Sequence, residues 1–368
     1  MSTSSPHMAI YWPSLNWGGA ERIMLKLAGG ISSRGYKVDL VLARASGAFL
    51  SEAPKQVRII DLNASRALLS LPALIAYLRR EKPGILYSGL YTNIVALWAK
   101  RLTHVPTRVI VSEHAPLSSY VRMDSSDYRV RLLPHLVKRF YLWADRIVTV
   151  SKGVADDLIM NYGIPDSRIH VIYNPIVTRE LRALAEAPLY HPWFEAGEPP
   201  VILAAGHLSA VKDFTTLIQA FAIVQQVRRA RLIILGEGKD RTRLEALIKQ
   251  LGVEANVQLP GFVVNPYPYM KRASLFVLSS LWEGLPSVLI EALYCGVPII
   301  ATDCPGGSRE ILADGKYGRL VRVRDSLAMA QAIESALAGN AIHPPPESWR
   351  PFELENVVDQ YINLFFNN

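Results

Sequence analysis

Short β-branched runs alternate with amphipathic helical stretches along this chain, break off once, and then begin again. In the first half, Met8–Trp12, Val38–Ala43, Gly84–Tyr87, Arg108–Val111, Arg146–Val150 and His170–Ile172 read as strands. Between most of them, Ala20–Ser33, Ala67–Arg80, Asn93–Leu102 and Lys152–Asn161 read as helices. After Asn174 the alternation fails. Residues 175–200 carry prolines at 175, 188, 192, 199 and 200 and no clean strand, the composition of a connection between domains. It resumes with strands at Val201–Ala205, Arg231–Leu235, Val257–Leu259, Leu275–Leu278, Pro298–Ala301 and Gly318–Val321. Helices are expected at Asp213–Gln226, Asp240–Leu251, Pro286–Tyr294 and Ser326–Ala338, with Asp213 and Asp240 as N-caps.

Apolar strands separated by helices mean parallel sheets covered on both faces. The expected fold is therefore α/β, with two Rossmann-like, doubly wound parallel-sheet domains. The first spans 1–175 and the second 176–350. A last amphipathic helix, Pro351–Phe366, follows the Pro344–Pro346 break, and residues 351–368 are expected to pack back toward the first domain. Doubly wound sheets take ligands beyond the carboxyl ends of their strands. Two such domains facing each other place the expected active site in the cleft between them.

At 368 residues, the chain is long enough for two domains of ordinary size. Its two cysteines, Cys295 and Cys304, make neither a disulfide framework nor metal-ligand spacing, so a reducing cytoplasm is expected. Met1–Pro6 has neither a basic nor an apolar region of the kind a signal peptide needs. Beyond the first strand and its loop, the longest uncharged stretch, Pro83–Ala99, is too short and too polar for a membrane span. The net charge of +8 is unevenly placed. Residues 1–180 hold 23 Lys and Arg against 13 Asp and Glu, and residues 181–368 hold 17 against 19. The excess lies wholly in the first half, where it suits an anionic partner (a membrane surface, a lipid-linked diphosphate or a nucleic acid) or a solvated basic face.

Four stretches carry candidate chemistry. Trp17-Gly18-Gly19-Ala20-Glu21-Arg22 follows the first strand and opens a helix, which reads either as a phosphate site or as a tight strand-to-helix turn. No G-x-G-x-x-G follows that strand, so a dinucleotide cofactor is not expected. In the second half, Lys212 comes six residues after Gly206, just before a helix. It is placed either to neutralise a diphosphate or to sit in solvent. In Trp282–Ala292, Glu283 lies in a loop, and Glu291 lies among Val288, Leu289, Ile290, Ala292 and Leu293. A carboxylate in that company needs hydrogen-bond partners, which two ribose hydroxyls would supply. Ser287 and the first-turn N–H groups around Leu285–Ser287 could hold a diphosphate at the helix N-terminus. The fourth stretch, Ser112-Glu113-His114, ends a strand and offers a histidine to a ligand or to the core.

Together these stretches resemble the family-4 retaining glycosyltransferases of GT-B fold. Glu283 and Glu291 match the family's E-x7-E motif. Leu235–Gly238, Pro260–Phe262, Ala301–Ile311 and Gly18–Arg22 are also similar to family segments. The resemblance implies an enzyme moving a hexose or N-acetylhexosamine from a nucleotide-diphosphate sugar, with UDP favoured, to a glycan or lipid-linked glycan in cell-surface polysaccharide or glycolipid synthesis. It implies that Glu291 holds the ribose, Glu283 and His114 face the transferred sugar, and Lys212 binds the diphosphate, with Gly19 on its other side. Backbone near Phe262 and Val263 would contact the base. Gly18, Gly284, Leu285, Pro286 and Ser287 complete the expected donor site. His207 stands where the family usually has arginine, which puts more of the diphosphate's charge on Lys212.

No D-x-D sequence occurs, so neither a metal nor any other cofactor is expected. Retention is expected through same-face attack, with the leaving phosphate taking the acceptor's proton and Glu283 as positioner. In 128–143, Arg129, Arg131, Lys138 and Arg139 interleave with Leu, Phe, Tyr and Trp. Such a segment suits a helix lying on the anionic inner face of the cytoplasmic membrane, or a buried helix with a basic outer face. No nucleic-acid recognition motif is present. The alternatives are a non-catalytic nucleotide-sugar-binding protein and a UDP-sugar epimerase of the same architecture.

Overall fold

In a computed structural model, the chain is described over residues 6–16, 18–123 and 127–367, with backbone alone at Tyr128 and Arg129. The expectations placed on Trp17, on residues 1–5 and on the Tyr128 and Arg129 side chains lie outside that description. The chain forms two units. One comprises residues 1–175 and 352–368, the other residues 176–351.

The first unit is built on seven strands: β1 His7–Trp12, β2 Lys37–Leu42, β3 Arg58–Asp61, β4 Ile85–Gly89, β5 Arg108–Glu113, β6 Arg146–Thr149 and β7 Ile169–Val171. They pair in the order β3-β2-β1-β4-β5-β6-β7, all parallel. The order reverses between β1 and β4, where doubly wound sheets open a ligand crevice. β1 and β4 are buried at every position but His7, as strands covered on both faces must be. β3 was not expected. It is an edge strand whose Arg58, Ile59 and Asp61 are exposed, so it lacks the apolar pattern that marks the others.

The expected helix at 67–80 forms as a 3-10 turn, Ala67–Ser70, running into a helix, Leu71–Glu81. In 128–143 the helix Tyr128–Phe140 runs on through Pro134, and a 3-10 turn, Tyr141–Trp143, follows it. The chain's last segment also belongs to this unit. Its helix, Leu354–Ile362, packs beside Gly19–Ser33 and buries Val357, Val358 and Tyr361, while Phe365 beyond it is buried too. The Tyr361 hydroxyl lies 3.2 Å from that of Tyr87 on β4, and Arg34 pairs with Asp359 and, at 2.5 Å, with Glu355.

The second unit has six strands: β8 Val201–Ala205, β9 Arg231–Leu235, β10 Val257–Gly261, β11 Leu275–Leu278, β12 Ile299–Thr302 and β13 Arg319–Val321. All are parallel, in the order β10-β9-β8-β11-β12-β13, so the order reverses between β8 and β11. Asp213 and Asp240 stand at helix starts, but neither side chain caps the backbone. Asp213 is left-handed, with φ 44°, and accepts from the Thr216 hydroxyl at 2.6 Å. Asp240 instead accepts from Arg243 at 2.9 Å. The proline-rich connection contains a short helix, Leu181–Glu186.

Candidate functional site

In the second unit, the loops leaving β8 and β11 are bonded to each other. The Ser279 hydroxyl donates to the Lys212 carbonyl at 2.7 Å, and the Leu281 N–H donates to the Val211 carbonyl at 2.8 Å. These bonds fix the spacing between the two loops at the switch point. Across them, Lys212 Nζ donates to Glu283 Oε1 at 2.5 Å, with both side chains largely buried. The Ser280 hydroxyl donates to the same oxygen at 2.6 Å. One carboxylate oxygen thus takes a cation and a hydroxyl, the partners a buried charge requires.

A third loop, after β12, holds Glu283 from behind. The Glu283 N–H donates to the Pro305 carbonyl at 3.0 Å, and the Gly307 N–H donates to that of Gly284 at 2.9 Å. Between them Gly306 has φ 113°, and a Cβ there would fall 1.6 Å from the Glu283 carbonyl oxygen. Only glycine fits that turn.

The helix Ser287–Cys295 starts directly beyond the Glu283 loop. Pro286 occupies its N-cap position and no side chain caps it; Pro286 contributes no N–H. Gly284, Leu285 and Pro286 are buried, and Ser287 is half-buried. Glu291 lies on the same helix, half-buried between Ile290 and Ala292, both fully buried, and its Oε1 accepts from the Tyr267 hydroxyl at 3.2 Å. The helix therefore does not turn Glu291 out to open solvent. His207 is exposed, just past β8. Beyond β10, Phe262 is 57% exposed and Val263 half-buried. The structure so brings Lys212 and Glu283 into contact and sets 284–287 and Glu291 along one continuous segment.

The first unit carries the remaining candidates. At the end of β5, the Ser112 hydroxyl gives its proton to the Ser88 carbonyl at 2.8 Å. His114 Nε2 lies 3.0 Å from Ser112 Oγ and must therefore be the donor in that contact. The tautomer is fixed, and Nδ1 is left as a buried acceptor with no partner. Burial pushes the imidazole down to about 4, so the ring is neutral at pH 7. Trp12 packs against it edge-on at 5.4 Å. Glu113, one residue earlier, is buried and accepts from the Tyr141 hydroxyl and, at 3.1 Å, from Asn93 Nδ2.

At Gly18, the approach is taken by the helix's own Glu21, whose carboxylate would lie 2.2 Å from a Cβ placed there; Gly19 faces open space. Glu21 stands at the third helical position, from which a glutamate reaches back over the helix start. Ser280, Tyr267 and Asn93 were not singled out from the sequence, and Ser112 was read only as part of the stretch that ends in His114. Ser279-Ser280, a polar pair closing an apolar strand, was the one visible signal.

Two doubly wound parallel-sheet units, one carrying a lysine–glutamate pair at its switch point, define a protein of the GT-B glycosyltransferase type. Residues 17–180 match the family described as Glycosyltransferase Family 4, and residues 191–350 match Glycosyl transferases group 1. The N-acetylgalactosamine-N,N'-diacetylbacillosaminyl-diphospho-undecaprenol 4-alpha-N-acetylgalactosaminyltransferase of Campylobacter jejuni is 30% identical over 344 residues, 90% of each chain. The lipopolysaccharide core biosynthesis glycosyltransferase LpsE of Rhizobium meliloti is 28% identical, over 94% of this chain and 95% of that one. Among solved structures, Anabaena HepE in complex with UDP aligns with a TM-score of 0.78 at 20% identity, over 98% of this chain and 100% of that one, a likeness of fold alone. The chain belongs to glycosyltransferase family 4 and is a glycosyltransferase.

Proposed function

We propose that the protein is a retaining glycosyltransferase that moves an N-acetylhexosamine or hexose from a UDP-sugar to a lipid-linked glycan during cell-surface glycan synthesis. The observation that carries this reading is the Lys212–Glu283 pair, seated where the strand order reverses and followed directly by a helix N-terminus. A diphosphate arriving there meets a lysine and the positive end of a helix, which take the negative charge that grows as the sugar leaves. No metal has a step in this reading. Glu291, with Tyr267 on one oxygen, holds the ribose. His114 offers Nδ1 to a hydroxyl of the transferred sugar, and Gly19 lies by the diphosphate.

Glu283 acts as a positioner: with Lys212 and Ser280 on one oxygen it is a poor nucleophile, which favours same-face attack with the leaving phosphate accepting the acceptor's proton. The relatives' names support the acceptor class, since one acts on an undecaprenyl-diphosphate-linked glycan and another builds lipopolysaccharide core.

A thermal-shift panel of UDP, GDP, ADP and their sugar conjugates on wild type and Glu291→Ala tests the donor. Ligand at about 100 times its dissociation constant adds roughly 2.7 kcal/mol, a shift of several degrees. Stabilisation by UDP and its conjugates, lost in the variant, is expected. No response to any nucleotide would replace this reading with a non-catalytic one.

Peripheral membrane contact belongs to the same proposal. No helix among the described residues is long and apolar enough to cross a membrane. The helix Tyr128–Phe140 and the turn after it expose Arg131, Leu132, Lys138, Arg139, Leu142 and Trp143, basic and apolar groups side by side. At roughly 1 kcal/mol per cation near an anionic leaflet, this suffices for reversible attachment.

A further inference from the structure

The turn after β4 spends backbone strain to hold an aromatic ring in water. Tyr91 is 62% exposed, and Leu90 before it has φ 59°, a left-handed conformation that strains a bulky residue. The strain is locked in from below. Thr92, fully buried, donates its hydroxyl to the Gly89 carbonyl at 2.6 Å, with the Tyr11 carbonyl 3.1 Å from the same oxygen. Gly89 admits no side chain, because a Cβ there would lie 2.3 Å from the Trp12 ring and 2.7 Å from Ser112 Oγ. That serine is the one to which His114 donates.

Above the turn, the Tyr91 hydroxyl sits 3.0 Å from the hydroxyl of Tyr120, on the helix Leu117–Met123 that begins three residues after His114. The two tyrosines leave adjacent strands, β4 and β5, which are in register at Gly89 and Ser112. β4, which Tyr91 follows, is one of the two strands at the switch point of the first sheet, where such folds take ligands.

We propose that Tyr91 and Tyr120 form a shelf that receives the terminal sugar ring of the acceptor glycan. The inference rests on the chain's acting on a glycan acceptor. A pyranose presents one apolar C–H face and a rim of hydroxyls. An exposed phenol ring covers the first, and a paired phenol, which both donates and accepts, meets the second. Tying the two hydroxyls together orients Tyr91 before the sugar arrives, so little side-chain freedom is lost on binding. Without an acceptor, the strain at Leu90 and the exposure of Tyr91 serve no packing end.

The test is saturation-transfer NMR on the full chain with saturating UDP, using methyl α- and β-glycosides of glucose, galactose, N-acetylglucosamine and N-acetylgalactosamine. Wild type should saturate the ring protons of at least one glycoside. Tyr91→Ala should weaken that binding about tenfold, the equivalent of 1.4 kcal/mol, and Tyr91→Phe should fall between. The UDP thermal shift of each variant should equal that of wild type, which excludes misfolding. The shelf is refuted if wild type saturates no glycoside, or if Tyr91→Ala binds as wild type does. A glycoside signal in a protein that ignores UDP would instead sink the donor assignment and leave the shelf standing.

Discussion

Lys212 and Glu283, 71 residues apart in sequence, meet at 2.5 Å across the point where the second sheet reverses its strand order. Without ligand the two charges satisfy each other, so a diphosphate must compete with Glu283 for the lysine. Lys212→Ala should lower kcat/KM on the stabilising UDP-sugar by about 10²–10³-fold, the range for losing one group that stabilises developing charge. Steady-state kinetics would check it, and a loss under threefold would remove Lys212 from the site.

The same pair predicts a non-additive stability effect. Glu283 is only 12% exposed, so Lys212→Met leaves a largely buried carboxylate that still accepts from Ser280 but has lost its cation. The single substitution should cost on the order of 2 kcal/mol, and adding Glu283→Gln should restore part of it. Urea unfolding of the four members of the cycle measures the coupling; strict additivity would mean the pair is not energetically joined.

Gly306→Ala should damage Glu283 without touching its side chain. The new methyl would collide with the Glu283 carbonyl oxygen, and alanine resists φ 113°. The loop must shift, so turnover should fall at least about tenfold while the second unit stays folded. Full activity in a folded variant would show that this loop tolerates displacement.

Glu113, which ends β5, and His114, which follows it, titrate with opposite sign. Burial raises Glu113 from 4.5 to about 7, against hydrogen bonds from Tyr141 and Asn93. Between those values the folded state binds the extra proton, so Glu113's contribution to stability is present below pH 4.5 and lost as pH rises through 7. Burial lowers His114 from 6.5 to about 4, so its contribution is full above pH 6.5 and lost as pH falls through 4. Glu113→Gln should therefore gain stability relative to wild type as pH rises from 4.5 to 7, by on the order of 2 kcal/mol. Unfolding midpoints at half-unit pH steps would show it, and a pH-independent difference would mean Glu113 is not held protonated.

Charge reversal at Arg131, Lys138 and Arg139 should abolish cosedimentation with vesicles containing anionic lipid and leave the UDP thermal shift intact. Unchanged sedimentation would dismiss membrane contact by this helix.

The alternation of strands and helices was readable because buried parallel strands are apolar throughout, and twelve of the thirteen fall where that pattern places them. β3 escaped because an edge strand with Arg58, Ile59 and Asp61 in solvent carries no such pattern. The course of the helix through Pro134 was hidden for another reason: proline removes one donor, and packing of Val130 and Val137 into the core outweighs that loss. The identities of Lys212, Glu283, Glu291 and His114 were visible from residue type and spacing. Their connections were not. The Lys212–Glu283 contact joins two loops whose approach depends on sheet order, and the His114 tautomer depends on where the Ser112 proton points.

Tyr361 and Phe365 are made only after the whole of the second unit, yet they cover Tyr87 in the middle of the first sheet. During synthesis the first unit waits, with that surface uncovered, while 176–351 is made, roughly 10–40 s at ordinary elongation rates. The first unit is thus completed only after the second, which interrupts it, has been made. A nascent chain arrested before residue 352 should present an apolar face that chaperones bind, and its release into the native state should wait on the final helix.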